Sequence, residues 1–137
     1  KMNHLHSHAT YCAATPLQYG VAVALEEEDG SFEGIPEMIA ENYRVMSEAC
    51  SAAGLDPYPA DGGHFLCAGT GDLEEFEVVE RLVRGAGVMV LPLSSFACDL
   101  DSSAAGRGIR IAICKKRETM AEAAKRLNGI DLESGTD

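Results

Sequence analysis

Three isoleucines at every second position, Ile109, Ile111 and Ile113, alternate with Arg110, Ala112 and Cys114. β-Branched residues at a spacing of two mark a strand with one buried face, because successive side chains of a strand point to opposite faces. The isoleucines therefore share one face, and Arg110 shares the other with two small residues. A second apolar run, residues 87–96, precedes this strand and ends in a proline turn. Any fold of this chain has to bury the isoleucine face while giving Arg110 a place that suits a charge. From the six residues alone, the ordinary outcome is an edge-strand arginine reaching water. The chemically interesting outcome is a guanidinium with room beside it for an anion, since its planar fork fits a carboxylate through two parallel hydrogen bonds.

The chain has 137 residues, one domain by length and enough to bury a core without disulfide or metal staples. Its net charge of −11 argues against nucleic acid or an anionic membrane surface as partner, because phosphate binding needs a positive footprint. The charge is uneven, however. Arg107, Arg110, Lys115, Lys116, Arg117, Lys125 and Arg126 face only Glu118 and Glu122 over the same stretch, a basic end that fits a small-anion site or a solvated helix face. Cys12, Cys50, Cys67, Cys98 and Cys114 are odd in number and form no CxxC pair, which favours reduced, mostly buried thiols over a disulfide framework or a zinc site. His4, His6 and His8 alternate, but no carboxylate or cysteine completes a familiar ligand interval, so no metal is expected. No run approaches the roughly 18 apolar residues of a membrane span. No basic-then-apolar leader opens the chain, and a targeting segment is expected only upstream of Lys1.

Periodicity lays out the elements. Residues 1–16 read as an extended lead-in, followed by a helix opened by Thr15, Pro16 and Gln18 in capping-box register and ended by the acidic run 26–29. A longer helix is expected over 36–53, with Ile35, Ile39, Tyr43, Met46, Cys50 and Ala53 at helical spacing and Gly54 as its stop. Short strands are expected at 55–58 and 64–67, separated by proline and glycine turns. A helix over 73–84 would bury Phe76, Val79, Val83 and Ala86. Strands at 88–91 and 109–114 follow, then a helix over 118–128 with Thr119 and Glu122 as a second capping box and Met120, Ala123, Ala124 and Leu127 inward. This order predicts an α/β (α+β) two-layer sandwich, a small mixed sheet of about four strands covered by helices.

Most other chemical signals have plain readings. Gly62, Gly63 and the 69–71 segment lack the spacing and the following Lys of a phosphate loop. Ser94 and Ser95 have no GxSxG around them and no histidine nearby in sequence. His64 reads as a packed or partly exposed strand residue. The acidic cluster 72–80 reads as a dipole-favoured helix start and a solvated face.

Four segments carry a family resemblance. Thr15, Pro16, Leu17 and Gln18, then Gly62, Gly63, His64, Phe65 and Leu66, then the run GVMVLPLSSF over 87–96, and finally Arg110 with its flanks, Lys115 and Lys116, occur in the order and spacing of fold-type I, class I/II aminotransferases. From Tyr11 to Leu127 the chain resembles the C-terminal, small-domain part of such a pyridoxal-phosphate enzyme. PLSSF and IRIAICKK are most similar to the kynurenine, glutamine and methionine aminotransferase branch. Tyr43 and Arg44 stand where relatives often carry Arg and Asp.

The resemblance implies residues 1–30 as a lead-in and helix from the end of the large cofactor domain, 31–128 as the small domain, and 129–137 as a flexible tail. It implies that Arg110 grips the substrate α-carboxylate, and that Tyr11 and Cys12 occupy the aromatic and histidine positions that reach into the neighbouring subunit's site in a homodimer. Cys12 departs from the histidine. The family's cofactor lysine, phosphate cup and ring-nitrogen aspartate match nothing here, since Lys1, Lys115, Lys116 and Lys125 fall at positions of no catalytic role. The expected function is that of a fragment of a transaminase moving an amino group between an amino acid and a 2-oxo acid. The parent would use pyridoxal phosphate, while this segment alone would bind no cofactor and be inactive. The expected location is the cytoplasm, or a mitochondrion or plastid given an upstream transit peptide. Two other readings fit the same residues: a ligand-sensing aminotransferase-like domain of a transcription regulator, and another fold-type I reaction such as a β-lyase or an aminocyclopropane-carboxylate synthase.

Overall fold

A computed structural model describes residues 1–10, 12–27, 32, 34–96 and 107–132. The chain divides into two units, Lys1–Gly34 and Ile35–Asp137. The first carries α1 (Met2–Ala9) and α2 (Thr15–Glu27). Residues expected to form an extended lead-in are thus helical over Met2–Ala9. His4 and His8 lie one turn apart on a helix face, with ring centroids 4.5 Å apart. Ser7 Oγ also donates to the His4 carbonyl at 2.9 Å. α2 starts where the Thr-Pro signal places it. Gln18 reaches back as its position suggests, although its Nε2 donates to the Ala13 carbonyl at 2.6 Å. Glu28 and Asp29, expected to end this helix, lie outside the described residues.

The second unit is a helical layer on a four-stranded sheet. Its elements are α3 (Gly34–Ala52), β1 (Asp56–Pro57), β2 (Phe65–Gly69), α4 (Glu75–Arg81) continued by a π-helical turn Leu82–Ala86, β3 (Leu91–Pro92) leading into a 3-10 turn Leu93–Phe96, β4 (Gly108–Ala112) and α5 (Arg117–Leu127). The strand order is β1-β2-β4-β3. The two-layer sandwich with four strands is as expected, but the pairing differs from a mixed sheet, since all three ladders are antiparallel. The order strand, helix, strand around α4 does make β2 and β3 run the same way. β4 then inserts between them, antiparallel to both, so no parallel ladder forms.

Register settles the faces. Leu66 pairs with Ile111, and Ile109 pairs with Ala68 on one side and Pro92 on the other. Together with Ile113 these form the floor of a core roofed by Met46, Ala49 and Cys50 of α3, Val78 and Leu82 after β2, and Met120, Ala124 and Leu127 of α5. Asn42, buried on α3, donates from Nδ2 to the carbonyls of Ile113 and Lys115, both at 2.8 Å. One carboxamide thereby satisfies two carbonyls just past the end of β4 and fastens the roof to the floor. The Tyr43-Arg44 pair also acquires a physical account. The Tyr43 hydroxyl donates to the Tyr58 carbonyl at 2.7 Å, while Arg44 pairs outward with Glu41 and Glu48. The hydrogen bond from Arg44 holds the Glu41 carboxyl below its usual range.

Three local expectations are corrected. The buried stripe around α4 is Glu75, Val78, Leu82 and Ala86, while Phe76 is 61% exposed and Val83 is also exposed. The two stripes sit one residue apart, and an apolar count selects the wrong one because the true stripe begins with a glutamate whose partners are distant in sequence. The π-helical turn then adds a residue before Ala86, which returns it to the core. α5 has Lys116 at its N-cap with no side-chain cap bond, and Glu122 instead accepts from Arg126 Nε at 2.8 Å. The segment after Gly129 is packed as far as Leu132, which is 2% exposed and whose carbonyl accepts from Arg81 at 2.7 Å. Residues 133–137 of the expected tail lie outside the described residues.

Three measurements test this packing. Asn42→Ala should lower unfolding free energy by about 1–3 kcal/mol, because two inward carbonyls lose their donor, read as a lower urea midpoint. Burial pushes the Cys50 thiol up to about 12. A folded pKa above the unfolded value of about 8.5 means that the protonated thiol's contribution is full below that value and is lost as pH rises toward 12. The urea midpoint should therefore fall over that window more steeply in wild type than in Cys50→Ala. At neutral pH a thiol reagent should label the exposed Cys12 and Cys114 and spare Cys50 until the chain unfolds.

Candidate functional site

β4 is an interior strand, so the edge-strand reading of Arg110 does not hold. Burial of Ile109 and Ile111 turns Arg110 to the uncovered face of the sheet, where its neighbours two residues away are Gly108 and Ala112. Across the ladders its partners are Cys67 on β2 and Leu91 on β3. The side chain is half-buried. Its guanidinium carbon lies 4.0 Å from the centroid of the Phe65 ring and 3.8 Å from that of Phe96. Each such contact is worth about 0.5–2 kcal/mol, and a weakly hydrated planar cation suits them better than an ammonium would. The rings hold the cation without consuming its N–H donors.

Those donors have no carboxylate within salt-bridge distance among the described residues. Several other arginines are committed. Arg44 serves two glutamates, Arg84 pairs with Glu80, Arg126 pairs with Glu122, and Arg107 donates to the Asp72 carbonyl. A surface cleft lined by Glu77, Glu80, Arg81, Arg84 and Ile130 has its arginines engaged in this way, with Arg81 bonded to Glu77 and Leu132. That cleft offers an anion less than the Arg110 face does. The basic stretch 107–126 thus separates: Arg110 lies on the open sheet face, while Arg117, Lys125 and Arg126 sit on α5, which packs on the isoleucine side.

Beside Arg110 the open face is shaped by two glycines paired across β2 and β4, Gly69 and Gly108. A Cβ on Gly108 would lie 2.7 Å from both the Ala68 carbonyl oxygen and Leu93 Cδ1. The turn carrying Phe96 can lie close over β4 only because Gly108 has no side chain. A Cβ on Gly69 would meet the Tyr58 hydroxyl at 3.0 Å, the movable end of a ring.

Of the residues that sequence reasoning singled out, the structure places Arg110 on this face. Cys12 is exposed between α1 and α2 in the first unit. Tyr11 lies outside the described residues, as does Cys98. His64 is exposed just before β2 and lends its carbonyl to the Ile113 amide at 2.9 Å. Among the described residues, no group of three His, Cys, Asp or Glu is gathered as a metal would need, and no helix is long and apolar enough to cross a membrane. Sequence reasoning missed Phe65 and Phe96 as ring partners, although both lie in segments it had marked. It also took Glu75 for part of a solvated face, whereas Glu75 is buried.

The sheet thus carries on an inner strand an arginine flanked by two rings, with no carboxylate beside it among the described residues. The family model for aminotransferase class I and II matches residues 1–127, and the chain belongs to that family, as a fold-type I pyridoxal-phosphate-dependent aminotransferase domain. It is 26% identical over 129 residues to a probable N-succinyldiaminopimelate aminotransferase of Mycobacterium tuberculosis, covering 87% of this chain and 32% of that protein. To the kynurenine–oxoglutarate transaminase of Dictyostelium discoideum it is 25% identical over 143 residues, covering 89% and 33%. Among solved structures, YbdL from Escherichia coli, for which a methionine aminotransferase function was identified, superposes with a TM-score of 0.72 at 26% identity, covering 91% of this chain and 33% of that one. The chain thus spans about a third of the length of these relatives, and the matches fall in several branches of the family.

Gly108→Ala should reduce stability by about 1–3 kcal/mol, because rigid backbone and a packed leucine both oppose the new methyl. Gly69→Ala should cost less, since the exposed Tyr58 ring can swing away. Urea unfolding of the two variants side by side checks this order.

Proposed function

We propose that this chain is the substrate-clamping part of an aminotransferase that moves an amino group between an amino acid and a 2-oxo acid, with Arg110 binding the α-carboxylate. The carrying observation is the guanidinium between Phe65 and Phe96 with no carboxylate beside it among the described residues. The two rings hold the guanidinium in place, the small Ala112 leaves space on the strand, and a bidentate carboxylate would satisfy donors left without a carboxylate among the described residues. A preset fork orients both substrates of such a reaction alike, because amino acid and 2-oxo acid share the carboxylate while differing at the reacting carbon. In this reading residues 31–128 are the small domain and residues 1–30 close the large one. The branch is that of kynurenine, glutamine and methionine aminotransferases, and Tyr11 and Cys12 line the neighbouring subunit's site in a homodimer. Free thiols at Cys12, Cys50, Cys67 and Cys114 support a reducing compartment, the cytoplasm.

Pyridoxal phosphate, when bound to such an enzyme, supplies the electron sink for the reaction. The residues of this chain do not fit it. Lys1, Lys115, Lys116 and Lys125 are all exposed, and Lys125 sits on α5, which packs on the isoleucine side of the sheet. None of them is enclosed in a pocket that would hold the cofactor's aldehyde, and no catalytic step is assigned to this chain.

In the full-length protein, Arg110→Ala should weaken binding of both amino acid and 2-oxo acid by about a hundredfold to ten-thousandfold, the loss of two charge-assisted hydrogen bonds at about 1.5–3 kcal/mol each. The absorbance of the bound cofactor should stay as in wild type. Steady-state kinetics with unchanged KM for both substrates would sink the assignment.

A further inference from the structure

Glu75 is the one buried acidic side chain among the described residues, 5% exposed on the first turn of α4. Its neighbours Glu74, Glu77 and Glu80 face water as an acidic run should. A buried carboxylate has to be satisfied by donors. Oε2 of Glu75 accepts from the Ser94 amide at 3.4 Å and from the Gly108 amide at 3.3 Å. Those amides belong to two different segments, the turn after β3 and the start of β4.

The ladder between β3 and β4 covers only Leu91 with Arg110 and Pro92 with Ile109. It leaves the turn Leu93–Phe96 without strand pairing, and Glu75 supplies the tie that the ladder does not. Phe96 is two residues beyond Ser94. Arg110 is two residues beyond Gly108 and on the same face of β4. One carboxylate oxygen therefore sits at the root of both arms whose tips meet as the 3.8 Å contact of ring and guanidinium.

We propose that Glu75 is a positioning residue, holding Phe96 against Arg110 so that the guanidinium is preset for a carboxylate; the purpose assigned to the contact rests on the clamp reading of Arg110. A charged acceptor suits the task, because its bonds to amides are stronger than neutral ones and a single atom can gather two segments. A shorter or apolar side chain leaves both amides without a partner and frees the turn to lift Phe96 away. The loss then appears at a site that Glu75 never touches.

The test uses the full-length polypeptide carrying this chain, labelled with 15N-arginine. The Arg110 Nε–Hε resonance, assigned by its loss in Arg110→Lys, should be displaced by the currents of the two flanking rings. Glu75→Ala should move it toward an exposed arginine's position, Phe96→Ala should do the same, and the double variant should move it little further. Calorimetry with 2-oxoglutarate as probe should show the dissociation constant raised about tenfold by Glu75→Ala, with that penalty largely absent in a Phe96→Ala background. Should Glu75→Ala fail to fold, Glu75→Asp, one methylene too short to reach both amides, replaces it in both measurements. An unmoved resonance, or a binding penalty that adds in full to that of Phe96→Ala, overturns the proposal. The resonance is read without ligand. If it responds to Glu75 while Arg110→Lys leaves 2-oxoglutarate binding unchanged, the positioning stands and the clamp reading is what fails.

Discussion

Ile109, Ile111 and Ile113 send three β-branched side chains into the core from one stretch of backbone, each burial worth about 1.5–3 kcal/mol. The pleat then leaves Arg110 no choice of side, since rotating it inward would expose all three isoleucines. β4 lies between β2 and β3, so this single strand both floors the core and presents the arginine. Asn42 adds to that anchoring by gripping the carbonyls just past its end. The site is rigid for the same reason that the fold is stable.

Among the described residues, several arginines are neutralised by glutamates and Arg110 is not. Arg44, Arg84 and Arg126 meet glutamates at helical spacing on exposed faces, pairs that contribute little to stability but leave no free fork for a ligand. Arg110 is held instead by rings, which supply attraction without filling its hydrogen-bonding edge. Glu75, far from Arg110 in sequence, belongs to the same arrangement through backbone amides.

Much of this was legible in the chain before any coordinates. The long helix, the last helix, the strands near 56, 65 and 110 and the face of Arg110 follow from local period, and α3 spans Gly34–Ala52 against an expected 36–53, whereas the strand expected at 88–91 pairs only at Leu91–Pro92. The misreadings have different causes. α1 was missed because residues 1–16 were read as an extended lead-in, whereas Met2–Ala9 form a helix with His4 and His8 one turn apart. The inward stripe of α4 was shifted by one residue because a glutamate on it looks like solvent until two amides from elsewhere are brought against it. Thr119 and Glu122 were read as a capping box, but Arg126 competes for the glutamate from the other side. Only for α4 do the deciding partners lie outside the window in which a pattern can be counted.

By itself the sequence determined that residues 109–113 form a strand with isoleucine and arginine on opposite faces, because that depends only on the alternation built into a strand. It also carried the family's segments in their order, matched over residues 1–127. Tertiary structure alone decided that β4 enters between β2 and β3 and that the rings of Phe65 and Phe96 close on Arg110 from two separate segments. It alone turned Glu75 inward to hold the turn. Those outcomes depend on pairings across tens of residues, where the energy of a contact is set by which distant groups arrive beside it and not by the residue's own neighbours in the chain.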